Sequence, residues 1–246
     1  KILSTPEDPS IAVVNGFVEM AKTWDLELSA FLETVEIIVH GTTVTTNAVL
    51  TGNVAKTGLL TTKGFRDALQ MRRGIREELY NNKYLPPPQV VPRYLRIPVE
   101  ERTDFAGKIV LDVDFSDVER GIALFKNEGI EAVAICFMHA YANNKNELLV
   151  EKKVHELLPG AYLSVSSKTL PQVRFYNRVS TTVLNSAVGP ILKKYLLRLT
   201  EKLREEHFKG ILLIMQSNGG VTSPEAVTEL AASTLLSGPA AAPIAG

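Results

Sequence analysis

Hydroxyl, amide and glycine residues collect at two places in the chain in the pattern of an anion-binding turn. The first is His40-Gly41-Thr42-Thr43, which follows the apolar run Ile37-Ile38-Val39 and precedes Asn47-Ala48-Val49-Leu50. Glycine lets a ligand approach the backbone, and threonine hydroxyls can donate to an oxyanion. The second is Ser217-Asn218-Gly219-Gly220 after Ile211 to Met215, where paired glycines leave backbone amides to face an anion. Both patterns also occur in tight turns that bind nothing. His40 and His139 stand at expected strand ends, as an acid, base or ligand or as hydrogen-bonded structural residues. Arg72, Arg73 and Arg76, with Glu77 and Glu78 behind them, form either a solvated surface or an anion clamp. No zinc spacing, Gly-x-Ser-x-Gly elbow or Walker-type loop occurs, and Cys136 reads as a small buried apolar residue.

The elements that must position these residues follow from the apolar pattern. Ile37-Ile38-Val39 reads as a strand buried on both faces, with a short helical turn from Asn47 closed by Gly52. Ahead of it, Ser10 is a helix cap for the face Ile11, Val14, Phe17, Val18 and Ala21. Further strands are expected at Thr57 to Thr61, Glu131 to Phe137, Tyr162 to Ser166 and Ile211 to Met215. Between them, Ser116 caps a helix ending at Gly129, and Asn146 to Leu158 is amphipathic. Thr181 leads through Gly189-Pro190 into the longest amphipathic stretch, with Ile191, Leu192, Tyr195, Leu196, Leu199 and Leu203 on one face. From Leu79 to Val113 the pattern changes to a stiff Pro86-Pro87-Pro88 run and strands at Tyr94 to Val99 and Lys108 to Asp112, an inserted subdomain. In an open α/β sheet ligands bind beyond the carboxyl ends of the strands. If the strands are parallel neighbours, the turns at His40, His139, Ser166-Ser167, Ser217 to Gly220 and Ser237-Gly238 share one rim.

Composition narrows the partners. The 246 residues are 45% hydrophobic and 22% charged, and Lys+Arg and Asp+Glu are both 27, which gives no sequence-wide attraction to nucleic acid or an anionic membrane. A single cysteine forms no internal disulfide, so a reducing, cytoplasmic setting is the default. No apolar run approaches the about 18 residues of a membrane span. Lys1-Ile2-Leu3 reads as the middle of a strand and Ala240 to Gly246 as the middle of something helical, so a piece of a longer polypeptide is expected.

Six stretches taken together, HGTTVTTNAVL, GLLTTKGFRDAL, ERTDFAG, LPQVRFYNRVSTTVLNSAVGP, MQSNGG and LLSGPAAAPIAG, resemble the hydantoinase A and 5-oxoprolinase family. Within it, MRRGIREELYNNKY and VPRYLR resemble the ATP-dependent ketone carboxylases, acetone and acetophenone carboxylase. The resemblance implies an α/β chain: an actin-like ATPase (ribonuclease H-like) lobe, with a mixed sheet flanked by helices and an inserted β-rich subdomain at about 79–113. Residues 1–185 would be the hydantoinase/oxoprolinase N-terminal-type region, and 186–246 the start of the hydantoinase A-type region. Folds of this kind hold nucleotide phosphates with two Asp-x-Gly-Gly-Thr hairpins. Neither is present, and the family places them just ahead of a stretch like Lys1 to Ser4 and just after one like Ser237 to Gly246. GPAAAPIAG resembles the helix connecting two lobes, with Ala241-Ala242-Pro243 where the family has a glycine pair. Phe175 and Asn177 replace acidic residues common in the family, so a charged role does not transfer to them.

The leading expectation is an ATP-binding subunit of a biotin-independent ketone carboxylase, using ATP with Mg²⁺ or Mn²⁺ to phosphorylate bicarbonate, the substrate enol, or both. Its partners would be a small ketone, bicarbonate and other carboxylase subunits, including a hydantoinase B-like one. ATP-dependent hydrolysis of a cyclic amide such as 5-oxoproline or a hydantoin is the second reading, and a scaffold with a decayed nucleotide site the third. Thr42, Thr43 and Asn47, with His40 and Arg72, are assigned to the phosphoryl or substrate end. Ser217, Asn218, Gly219, Gly220 and Gly238 are assigned to the nucleotide, and no metal ligand is assigned within the chain.

Overall fold

Aspartates begin two of the helices, each one turn position ahead of a serine that also looks like a cap. Asp8 accepts from the Ser10 amide at 3.2 Å and from its hydroxyl at 2.6 Å, and Asp114 accepts from the Ser116 amide at 2.9 Å. An ionised carboxylate is the stronger acceptor, so the caps are Asp8 and Asp114 and not Ser10 and Ser116. The computed structural model describes residues 2–5, 7–238 and 240. In chain order it contains α1 (Pro9–Lys22), α2 (Leu28–Glu33), β1 (Ile37–His40), α3 (Val44–Thr51), β2 (Thr57–Thr62), α4 (Ala68–Met71), β3 (Arg96–Val99), β4 (Arg102–Thr103) and β5 (Ile109–Leu111). These are followed by α5 (Phe115–Asn127), β6 (Ala132–Cys136), α6 (Lys145–Leu157), β7 (Tyr162–Val165), α7 (Ser166–Thr169), α8 (Phe175–Glu205), β8 (Ile211–Met215), β9 (Val221–Thr222) and α9 (Pro224–Glu229).

Packing divides the chain into two compact units, Lys1–Asn53 with Ile191–Gly246, and Val54–Pro190. The first unit holds a three-stranded mixed sheet in the order β1-β8-β9, with β1 parallel to β8 and β9 antiparallel to it. Leu32, Ile38, Ile214 and Val227 form its core with Leu192, Leu196, Leu199 and Leu203 of α8. The amphipathic face anticipated on that helix is the buried one. β1 departs from expectation: Ile37 and Val39 are 54% and 53% exposed, so this strand buries one face only.

The second unit is a fully parallel four-stranded sheet, β3-β2-β6-β7, with α5 and α6 packed on it. β6 is buried at every position, AVAIC, and Leu59, Leu60, Phe125, Ile135, Val150 and Val183 pack around it. Each such side chain contributes roughly 1.5–3 kcal/mol by burial. The insertion is smaller than the expected 79–113, because β3 joins the main sheet beside β2 and only the β4-β5 hairpin stands apart.

Two further expectations change. α8 runs unbroken for 31 residues through Pro190, where a break between two segments was expected. A proline removes a helix hydrogen bond, and in the turn before it the Ala55 amide donates to the carbonyl of Ala187 at 2.9 Å. Residues 2–4 have no regular structure, and the expected opening strand is absent there. Lys1, Pro239 and the 241–246 part of the expected connecting helix lie outside the described residues.

The strands thus fall in two sheets, and the strand-end turns form two sets, each on the carboxyl edge of its own sheet, in place of one shared rim.

Candidate active site

On the first sheet, β1 and β8 end side by side, which puts the turn at 41–43 next to the turn at 216–220; a Cβ built on Gly41 would lie 4.0 Å from Met215 Cβ. The segment 231–238 ties both turns down. Ser217 N donates to Ser233 O at 2.7 Å, Ser237 Oγ donates to Thr42 O at 2.9 Å, and Leu236 N donates to Thr46 Oγ1 at 3.2 Å. The hydroxyls of Thr45 and Thr234 meet at 2.8 Å, both fully buried. A Cβ on Gly238 would sit 3.8 Å from Thr43 Cγ2, so Gly238 lies against the first turn.

Thr42 is buried and its Oγ1 accepts from Val44 N at 3.2 Å, whereas Thr43 is exposed. α3 starts without a side-chain cap at Thr43, which leaves its first-turn amides beyond Val44 to a ligand. The Asn47 side-chain amide reaches back to Thr43 Oγ1 at 3.3 Å, so these two residues form one exposed polar pair at the helix start. The donor set offered here consists of hydroxyls, amides and a helix amino end. It suits phosphate or carboxylate oxygens.

The MQSNGG turn has a different internal order from the one anticipated. Gln216 N bonds to Gly220 O at 2.8 Å, Gly219 N to Gln216 O at 3.0 Å, and Gly220 N to Asn218 Oδ1 at 2.8 Å. The turn joins β8 to the antiparallel β9, and Gly219 sits at φ 84°, where a side chain is disfavoured. Its glycine amides are therefore spent on the hairpin. Ser217 and Asn218 are the exposed side chains left at this edge.

His40 ends β1 and its Nε2 lies 2.7 Å from the hydroxyl of Tyr195, a residue only 6% exposed. Burial pushes the His40 imidazole down to about 4 and the Tyr195 phenol up to about 12, with a hydrogen bond from Thr42 opposing the latter. Both are neutral near pH 7. Tyr195 is the residue the sequence reading missed, counted there as part of an apolar helix face. Its hydroxyl on a leucine-rich stripe was the available signal, since a buried tyrosine usually finds a partner for it.

Arg72 belongs to the second unit, pairs with Glu77 at 2.6 Å, and has φ 56°. His139 also lies in that unit, 3.3 Å from the Tyr141 hydroxyl. The carboxyl edge of the second sheet is largely sealed by its own polar network. Fully buried Glu147 accepts from Phe137 N at 2.8 Å, Ser166 Oγ at 2.5 Å and Ser167 N at 2.9 Å. Fully buried Arg178 donates to Ser166 Oγ at 3.1 Å and to the Phe137 carbonyl, and its guanidinium faces the Tyr141 and Phe175 rings. Asn177 accepts from Arg73 at 2.6 Å, so neither Phe175 nor Asn177 substitutes for a charge. Among the described residues no cluster of three or more His, Cys, Asp or Glu could hold a metal ion.

Comparison with known proteins places this geometry. A family model for the hydantoinase/oxoprolinase N-terminal region matches residues 1–158, and a model for hydantoinase/oxoprolinase matches residues 178–245. The chain belongs to the hydantoinase/oxoprolinase family. Members similar to it include the caprolactamase alpha subunit of Pseudomonas jessenii, 32% identical over 100% of this chain and 36% of the relative. The acetophenone carboxylase gamma subunit of Aromatoleum aromaticum is 26% identical over 89% of this chain and 32% of its own length. The crystal structure of the ATP-dependent caprolactamase from Pseudomonas jessenii superposes with a TM-score of 0.92 at 31% identity, covering 99% of this chain and 36% of that one. A nucleotide-free acetone carboxylase structure gives a TM-score of 0.82 at 24% identity, over 96% of this chain and 35% of that one, and shows the shared fold. This hydantoinase/oxoprolinase chain thus spans about a third of the length of the relatives it matches. The family contains both ATP-dependent carboxylase subunits and cyclic amide hydrolases.

Proposed function

We propose that this chain carries part of the nucleotide-handling half of an enzyme that uses ATP to phosphorylate a carbonyl-type oxygen of its substrate, and that the substrate is a cyclic amide. The observation that supports the reading is the Thr42-Thr43 turn at the uncapped start of α3, set beside Ser217 in a chain that matches an ATP-dependent caprolactamase along its whole length. Phosphoryl transfer needs positioning and charge stabilisation more than covalent protein chemistry. Hydroxyls of Thr43 and Ser217 and the first-turn amides of α3 supply neutral donors for phosphate oxygens, and Asn47 fixes the Thr43 hydroxyl. When bound, ATP would supply the phosphoryl group that turns an amide or bicarbonate oxygen into a leaving group. The neutral hydroxyls and amides of these turns are poor ligands for Mg²⁺ or Mn²⁺, which favour carboxylates, and no step is assigned to a metal here.

ATP-driven carboxylation of a ketone with bicarbonate is the second reading, supported by the likeness to acetophenone carboxylase gamma subunit over 89% of the chain. In that case other carboxylase subunits are the partners. The test is phosphate release by the full-length polypeptide, assembled with its partner subunits, in the presence of a lactam or of a ketone with bicarbonate. Stimulation by the lactam supports the first reading and stimulation by ketone plus bicarbonate the second. ATP turnover absent under both conditions overturns them together. Thr43→Ala is expected to lower turnover about tenfold or more, by loss of one charge-stabilising donor, with an unchanged melting temperature; unchanged turnover would remove this turn from the site.

A further inference from the structure

His40 has two ring nitrogens, and the structure settles which of them carries the proton. Tyr195 Oη lies 2.7 Å from Nε2, and Thr42 is hydrogen-bonded to the same phenol. Two proton arrangements fit these contacts. If His40 donated to Tyr195 and Tyr195 to Thr42, the Thr42 oxygen would accept from both Tyr195 and Val44 N, and its own hydrogen would have no acceptor among the described residues. If Thr42 donates to Tyr195 and Tyr195 donates to Nε2, every proton in the chain is placed. The second arrangement puts the imidazole hydrogen on Nδ1. That nitrogen has no partner among the described residues and is not a sealed atom.

We infer that His40 serves the β1 turn as a fixed neutral donor through Nδ1–H toward an anionic oxygen, and that Tyr195 is the positioning residue that holds this tautomer. The inference rests on the reading of that turn as part of the phosphoryl site. It excludes His40 as a general base, because its acceptor nitrogen is occupied. The surroundings agree with a ring that stays neutral. β8 offers Ile214 opposite His40 and Met215 beside it, and α8 offers Tyr195. The charged groups near the pair are Asp8, which bears on Tyr195, with Arg198 3.8 Å from that carboxylate and Lys202 also bearing on it. None of them acts measurably on His40, whose downward shift comes from burial.

The experiment uses the full-length polypeptide in its assembled state. Asparagine places an amide N–H where Nδ1 sits and glutamine places one where Nε2 sits. His40→Gln is expected to lower ATP turnover about 100-fold, and His40→Asn to recover about tenfold of that loss. A glutamine variant as active as, or more active than, the asparagine variant would overturn the inference. Independently of activity, diethyl pyrocarbonate at pH 7 followed by peptide mass spectrometry should leave His40 unmodified in the wild type and modify it in Tyr195→Phe. Equal modification in the two proteins would also overturn it. An absence of ATP turnover in the wild type would remove the proposed function, and the modification experiment would still decide the tautomer.

Discussion

At the scale of single residues, the strongest commitments lie in groups buried without water. Glu147 is wholly buried with three donors pointed at it. Burial raises its carboxyl above the usual range, and the bonds from Ser166, Ser167 and Phe137 oppose that shift without cancelling it. The linkage follows from the sign: a carboxyl with a raised folded pKa binds more protons folded than unfolded. Its contribution is full below the unfolded value of about 4.3 and fades as pH rises through the folded value. Denaturant titrations from pH 4 to 8 should therefore show wild type losing stability relative to Glu147→Gln as pH rises; a constant gap would contradict this. Glu147→Ala leaves three donors unpaired and is expected to cost about 3 kcal/mol or more at any pH in that range. None of this was legible from sequence, where Glu147 reads as one more charged residue on an amphipathic helix. A burial pattern along a helix shows which face is inward, and it cannot show that the face meets two serines and an arginine from elsewhere.

At the scale of elements, the β1-β8 pairing sets where the two candidate turns meet, and it depends on one glycine. A Cβ on Gly210 would lie 2.3 Å from Glu36 O and 2.6 Å from Val35 O, both backbone atoms that side-chain rotation cannot move aside. Gly210 precedes the Ile211 amide that bonds Glu36 O at 2.8 Å, so any added side chain pushes β8 off β1. Gly210→Ala should cost about 1–3 kcal/mol and weaken hydrogen-exchange protection in β1 and β8 first; unchanged protection would show that the register tolerates the shift. The hairpin at 216–220 depends similarly on Gly219 at φ 84°. The strands themselves, their lengths and their polar turns were readable because apolar runs bounded by glycine and hydroxyl residues have few other solutions. The Asp-x-Ser caps and the unbroken α8 were not. They depend on which of two adjacent acceptors wins, and on a donor 132 positions from Ala187, the Ala55 amide.

At the scale of the whole molecule, two cores divide the chain, and residues 72–92 of the second unit carry neither α-helix nor strand. Leu79, Tyr80 and Leu85 are 66%, 93% and 83% exposed there, beside Arg72, Arg73, Arg76 and Lys83. Brief trypsin treatment of the full-length protein should cut within 72–83 before any other site in these residues. Resistance there would show that another chain or segment covers this stretch in the assembled protein.

The sequence by itself determined the family, the α/β class, most strand and helix positions and the turn residues worth testing, because periodicity and glycine placement are local properties written along the chain. Only the tertiary structure decided that the strands form two sheets, that the glycine amides of MQSNGG close a hairpin, and that Tyr195 meets His40. Each of those outcomes is a pairing between residues distant in sequence, and the free energy that selects one partner over another exists only once the core has excluded water around them.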